Sequence, residues 1–296
     1  MKTVAGFLIG ASFTVGFSSC QKEIDWSTPN QVTSDSIYIT KAVGLDTTLP
    51  AGTDTTTWLY FTYDNSKRLT QLVGVTKRPA LAADTVIHTY YYQGSETLPY
   101  KYIIDDLDYS GPSPWFSQTI VHNFYSNGII SKDSVIELDI TGGSNDGATV
   151  STFAVSGSTV SRYRNMYDFI SGNYILSGKD TTVYTVSQIG GNIVTQTVTS
   201  GIGAYQQAQV SYDNKKNPLS KVIKIKYPVF ESPYFELWNF QFNNVLHAQF
   251  QEYQNPTYNE WYTYQYRPDN YPSSSTYDDD YGSNFYNKVF YFYITL

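Results

Sequence analysis

The chain has 296 residues, enough to bury a sizeable core as one large β domain or two smaller ones. Aromatic residues make up 17% of it, 29 of them tyrosines, and charged residues only 15%, a composition that excludes a disordered chain and matches a sheet-rich one. A formal charge of -7 excludes nucleic acid as a partner, because neutralising phosphates needs clustered Lys and Arg. Lys221, Lys224 and Lys226 are the densest basic stripe, and the latter two alternate with Ile223, Ile225 and Tyr227 as an ordinary solvated strand face.

The N-terminus carries the most specific signal. Met1-Lys2 is a short positive start, Val4 to Phe17 is mostly apolar or small, and Ser18-Ser19-Cys20 follows. Residues 1–19 thus have the shape of a secretory signal, too short and too early for a membrane span. Cys20 is the sole cysteine, so an intrachain disulfide is impossible and a lone thiol in an exported protein needs another explanation. Phe17-Ser18-Ser19-Cys20 resembles the lipobox of bacterial lipoproteins, with Phe17 where an aliphatic residue is usual. The resemblance implies that Cys20 is lipidated and that an acyl anchor makes the membrane a partner without any spanning helix. A plain cleaved signal with an incidental cysteine is the alternative. Gln21-Lys22-Glu23-Ile24-Asp25 resembles the short Lys-plus-acid signal that sends some Bacteroidota lipoproteins to the outer face of the outer membrane. That implies a lipid-anchored outer-membrane protein, on the cell surface or on the periplasmic face.

Residues 20–35 are polar, with Pro29 and Asn30, and read as a lipidated cysteine and tether. Residues 36–296 read as a single β-hairpin-repeat domain. At Tyr60 to Val75 an aromatic and β-branched run meets Asp64-Asn65-Ser66 and a second run follows, which predicts a hairpin. Val210 to Ile225 repeats the pattern and predicts another. Reversals are expected at Asp64-Asn65, Gln93-Gly94, Asn127-Gly128, Gly157, Gly190-Gly191, Asp213-Asn214, Asn243-Asn244 and Asp269-Asn270. Most lie about 30 residues apart, the length of two strands and two turns. No run holds helical spacing; Asn244 to Tyr253 comes nearest and still reads as a strand or a single helical turn.

Near the end, Phe290, Phe292, Ile294 and Leu296 share one face, opposite Val289, Tyr291, Tyr293 and Thr295. In the preceding run Tyr262, Tyr264 and Tyr266 oppose Trp261, Thr263 and Gln265. An antiparallel sheet with one dry face and one amphipathic, Tyr-rich face accounts for both. The fold class is therefore all-β, a large curved antiparallel meander of repeated hairpins, strongly curved or closing toward a barrel.

The Tyr-Asp-Asn hairpins at 63–65 and 212–214 look like the YD repeats of Rhs-type proteins. More closely, the C-terminal third resembles uncharacterised Bacteroidota lipoproteins of domain-of-unknown-function type. Tyr212-Asp213-Asn214-Lys215-Lys216-Asn217-Pro218, Asn243-Asn244-Val245, and Tyr262 to Tyr266 followed by Asp269-Asn270-Tyr271-Pro272 carry the likeness. Asn270 stands where such proteins usually have glycine, at a turn position that tolerates a left-handed backbone. The resemblance implies an all-β lipoprotein and brings no activity with it.

Chemistry is sparsely marked. His88, His122 and His247 lie in separate strand-like runs and read as structural or solvated; no zinc, nucleophile or phosphate-loop motif accompanies them. Asp106, Asp108 and Ser110, ahead of Gly111, fit the start of a calcium loop, but Ser117 stands where the closing acid belongs. A solvated acidic loop is the plainer reading, and no cofactor other than this Ca²⁺ candidate is expected. Asp105, Asp106, Glu137 and Asp139 could supply the carboxylate pair of a glycoside hydrolase, as could the acids of many chains. Trp58, Trp115, Trp238 and Trp261 are candidates for stacking on the C–H face of a pyranose, against the background that Tyr and Trp favour sheets anyway. Asp followed by Ser or Thr would also place sugars on Ser36, Thr47, Thr55, Thr85, Ser134 and Thr181, by resemblance to an exported-protein O-glycosylation signal.

The functional expectation is a non-enzymatic binding module of the cell surface, with a glycan or a protein such as an envelope protein as partner. A structural or assembly lipoprotein of the periplasm is the alternative, and a glycoside hydrolase a third.

Overall fold

A computed structural model describes residues 36–50, 55–77, 82–109, 113–126, 129–187, 191–200, 203–221, 241–252, 255–280 and 287–296. Its strands are β1 (Ile37–Leu45), β2 (Thr55–Tyr63), β3 (Leu69–Thr76), β4 (Asp84–Tyr91), β5 (Lys101–Asp108), β6 (Trp115–Ser126), β7 (Ile129–Asp139) and β8 (Ser144–Ser156). The second half holds β9 (Thr159–Ile170), β10 (Asn173–Val186), β11 (Ile193–Ser200), β12 (Gly203–Tyr212), β13 (Val245–Glu252), β14 (Tyr258–Tyr266), β15 (Pro272–Asp279) and β16 (Lys288–Thr295). Each pairs antiparallel with its neighbour in sequence, and β1 pairs with β16. The meander closes into a barrel, which removes the exposed edges that a long open sheet would present.

Even-numbered strands end at the rim where β1 begins and β16 ends, the terminal rim; odd-numbered strands end at the far rim. The Tyr60 to Val75 hairpin is β2–β3, turned by Asp64 to Arg68. The reversals at Gln93-Gly94, Gly157, Gly191 and Asp269-Asn270 all fall in turns of the terminal rim, whereas Asn127-Gly128 and Gly190 lie outside the described residues. Asn270 does take a left-handed backbone, φ 68°.

The described part of Val210 to Ile225, residues 210–221, is not a hairpin. β12 stops at Tyr212, Pro218–Lys221 forms a 3-10 helix, and the next described strand, β13, begins at Val245. Pro218 has no N–H to give a ladder, and Asn217 Oδ1 instead accepts the Leu219 N–H at 2.8 Å. The helix turns inward: Leu219 joins the main apolar cluster with Ile39, Ala42, Leu59, Phe61, Leu72, Val86 and Ile104. Lys221, buried, donates to the Ile37 carbonyl at 3.1 Å and covers the rings of Tyr38 and Tyr271. Two smaller clusters fill the wall elsewhere, one around Val160, Tyr184 and Ile193, the other around Val210, Ala248 and Phe250. Burying each such side chain contributes about 1.5–3 kcal/mol.

The expected division of faces is reversed in one respect. The tyrosine-rich face is the inner one: Tyr291 and Tyr293 pack against the main cluster, while Phe292 and Ile294 are exposed. A phenol can line a packed interior because its hydroxyl reaches a carbonyl. Tyr63 donates to Ile39 O, Tyr92 to Leu69 O, Tyr125 to Pro99 O, Tyr212 to Ile193 O and Tyr293 to Pro272 O, all at 2.6–2.9 Å. Each joins the end of an even strand to the preceding odd strand near its start. Burial pushes the phenols of Tyr63, Tyr92, Tyr125, Tyr212 and Tyr293 up from their ordinary value.

Asp64 closes its turn by accepting the N–H groups of Ser66 and Arg68, both at 2.9 Å, while Arg68 reaches on to the Gly94 and Glu96 carbonyls. Burial opposes the charge, yet the bonds from Arg68 and Ser66 hold the Asp64 carboxyl below its ordinary range. Asp213 uses the same start differently. It accepts from Lys215 N, Asn244 N, Asn244 Nδ2 and the Tyr266 hydroxyl, tying together the two ends of the long β12–β13 connection.

Candidate functional site

Strand alternation and register assign each sequence-derived candidate to a wall. Trp261 lies on the outer face of β14 and is 43% exposed. Opposite it stand His247 on β13 and Asp278 on β15. The His247 and Trp261 rings stack with centroids 5.7 Å apart and planes 28° from parallel. In the next outward row of the wall, Gln209, Gln249 and Asn259 are neighbours on β12, β13 and β14. Asn259 Oδ1 accepts from Gln249 Nε2 at 3.1 Å and lies 3.1 Å from His247 Nε2. Asp280 fixes that amide by accepting Asn259 N at 2.7 Å and Nδ2 at 2.9 Å. Thr263, Gln207, Gln251 and Asp278 complete an exposed polar surround.

The outcome is a flat aromatic plate backed by a second ring and bordered by amides and carboxylates held in place by one another. Such a surface can stack against the C–H face of a sugar ring while bordering side chains bind its hydroxyls. The alternation at Trp261, Thr263 and Gln265 was legible in the sequence. The pairing with His247 and the amide row was not, because three strands contribute.

The other tryptophans are elsewhere. Trp58 is half-buried on the outer face of β2, in a row with Val43 and Val75, and belongs to packing. Trp115, 40% exposed, is the first residue of β6 at the far rim, opposite Asp108. Trp238 lies outside the described residues, as do Cys20 and Ser110.

Asp106 and Asp108 sit in the extended strand β5 rather than at the start of a loop. A strand repeats every second residue, which sends both carboxylates to the inner wall, opposite Ser117 and Trp115. Burial, with Asp108 and Asp84 nearby, raises the Asp106 carboxyl above its ordinary value. Among the described residues no group of three His, Cys, Asp or Glu side chains is gathered to hold a metal.

The same alternation separates Asp105, on the outer wall, from Asp106, Glu137 and Asp139 on the inner one. Asp105 accepts from Gln118 at 2.7 Å and Asp139 from Gly142 N at 2.7 Å, both structural uses. Among the histidines, His88 is buried and stacked on Tyr90, and its burial lowers the imidazole to about pKa 4. His122 faces outward on β6.

In fold the chain is similar to a porin-like protein from Bacteroides vulgatus. The two are 14% identical, with a TM-score of 0.51 over 88% of this chain and 99% of that one. A second porin-like protein, from Bacteroides uniformis, is 12% identical over 88% of this chain and 98% of that one, with a TM-score of 0.46. No family model and no curated relative matches the sequence. Identity this low speaks for the barrel alone.

Proposed function

We propose that the protein is a lipid-anchored β-barrel of the bacterial envelope that binds a glycan, without chemistry, through the outer face of β13–β15. The observation that carries this is the exposed Trp261, stacked on His247 and bordered by the Asn259–Gln249–Asp280 set and by Asp278. Lipidation of Cys20 would tether the barrel through residues 21–35, which span at most about 50 Å when extended.

The composition of the outer wall supports a barrel held beside a membrane rather than through it. A membrane-spanning barrel carries an apolar band all round. Here the outward residues of β10 to β14 include Thr181, Thr195, Thr197, Thr199, Gln207, Gln209, Gln249, Asn259 and Gln265. Apolar outward residues concentrate on the other half, at Val73, Ile87, Ile103, Ile120, Ile136 and Val150. That half favours the second reading, an assembly role against another envelope protein.

Titration of the full chain in detergent with a panel of soluble polysaccharides, read by calorimetry, tests the glycan reading. Trp261→Ala should weaken binding at least tenfold, about 1.4 kcal/mol, while Trp115→Ala leaves it unchanged. No binding by the parent chain, or equal binding by Trp261→Ala, sinks the proposal. Release of shorter glycans would establish the hydrolase reading instead. Proteinase treatment of intact cells, with a periplasmic lipoprotein as control, separates the surface from the periplasmic face.

A further inference from the structure

The β9–β10 hairpin runs past its neighbour at the far rim. β10 pairs with β9 from Asn173 to Thr185 but with β11 only from Asp180 onward. Its edge from Asn173 to Lys179 therefore meets no strand among the described residues, although each of these residues is in strand. The tip is a tight two-residue reversal in which Ser171 and Gly172 both take positive φ, 52° and 84°, the geometry that matches strand twist. The hairpin is thus well formed right up to its end.

Both faces of that end carry exposed apolar side chains, with Asp168 and Asn173 beside them on the inner face. Phe169, Tyr174 and Leu176 share the outer face, Ile170 and Ile175 the other, and they are 36–50% exposed. Together they present on the order of 400–500 Å² of apolar surface, a size that marks an interaction site. A free strand edge next to such a patch selects its occupant. Lipid would cover the side chains but leave the edge N–H and C=O groups unsatisfied, which a bilayer does not tolerate. Another strand satisfies both.

We infer that this edge pairs with the same edge of a second copy, antiparallel about a two-fold axis at Ile175. The segment is complementary to itself in that register. Ile175 meets Ile175 of the other copy, Tyr174 meets Leu176 on the opposite face, and Asn173 meets Ser177. Apolar residues oppose apolar ones and polar residues oppose polar ones. The irregularity between Leu176 and Gly178 ends the paired stretch, as bulges do at sheet edges. Two such patches sum to roughly 1,000 Å², the lower bound for a specific contact. The two barrels then share one continuous sheet through β9 and β10, with both terminal rims at the outer ends of the pair. This inference does not depend on glycan binding.

In antiparallel pairing directly opposed Cα atoms stand about 4.5–5.5 Å apart, within reach of a disulfide. Ile175→Cys in the full chain, oxidised in native membranes and run without reductant, should give a thiol-reversible dimer. The unaltered chain and Gln207→Cys, on the polar wall, should stay monomeric. A monomer for Ile175→Cys, or a cross-link at the mass of a different protein, overturns the inference. Should Ile175→Cys fail to accumulate, sedimentation equilibrium of the unaltered chain in mild detergent decides. A dimer dissociated by Tyr174→Lys with Leu176→Lys supports self-pairing, and a monomer refutes it.

Discussion

Asp133 on β7 and Arg162 on β9 face each other inside the barrel across Ser151 of β8. They are 2%, 6% and 0% exposed respectively, so the charges sit in a largely dry place. Arg162 Nε donates to Ser151 Oγ at 2.9 Å, Ser151 N donates to Asp133 Oδ1 at 3.2 Å, and the guanidinium lies 3.9 Å from Asp133 Oδ2. Asp133→Ala removes one of the groups that hold the buried Arg162 cation, and breaking a buried pair from one side typically destabilises by about 3–5 kcal/mol. With a urea slope of about 3 kcal/mol per molar, the unfolding midpoint should fall by more than about 1 M at unchanged slope. Asp133→Leu combined with Arg162→Met removes both charges and should recover most of the loss, because a buried pair contributes little beyond an apolar replacement. The assay is urea unfolding of the three proteins followed by circular dichroism. A loss below about 1 kcal/mol for Asp133→Ala would refute the reasoning, because the network would then not be desolvated. A double variant no better than the single one would refute it too.

The tyrosine-to-carbonyl bonds predict a repeated, modest effect. Tyr63→Phe and Tyr212→Phe should each cost about 1 kcal/mol of unfolding free energy, with no change in far-ultraviolet circular dichroism. His88 gives a pH dependence. Its folded pKa of about 4 lies below the unfolded value near 6.5, so the unfolded chain binds more protons between them. Stability from this group is complete above pH 6.5 and lost as pH falls toward 4, about 2 kcal/mol of it by pH 5. His88→Phe should flatten that part of the midpoint-against-pH curve; an unchanged curve would assign the acid sensitivity elsewhere. Gly147 is held by close approach: a Cβ there would meet the Tyr167 carbonyl oxygen at 2.8 Å. Gly147→Ala should therefore cost about 1–3 kcal/mol in the same unfolding assay.

The turns expected from sequence lie at the terminal rim, where Asp, Asn and Gly mark the chain reversals. At the far rim the β9–β10 turn uses Ser171-Gly172, a turn dipeptide that is not among the expected reversals. Hence the apparent period of about 30 residues counts strand pairs rather than strands. Asp64 and Asp213 open with the same Tyr-Asp-Asn, yet one closes a hairpin and the other clamps a long connection. What differs is Asn217-Pro218 and the distant Asn244, which local pattern reading does not weigh. Three of the six expected sugar acceptors, Thr85, Ser134 and Thr181, prove to be strand residues whose preceding aspartates point inward. There Asp133 and Asp180 meet Arg162 and Arg164.

By itself the sequence determined the all-β class, the hairpin rhythm and the split of Trp261 from its neighbouring tyrosines. Alternation is a local property of the pleated backbone, and Asx and glycine turns are local chemistry. Only the tertiary structure decided that the meander closes, since the β1–β16 pairing joins residues at opposite ends of the chain. It also decided which face is inside. Phenol hydroxyls find carbonyls on the preceding strand, so tyrosine becomes an interior residue and the phenylalanines of β16 are left outside. The plate of Trp261, His247 and Asn259, and the edge of β10 that meets no strand among the described residues, likewise arise from register between strands, which no single stretch of the chain encodes.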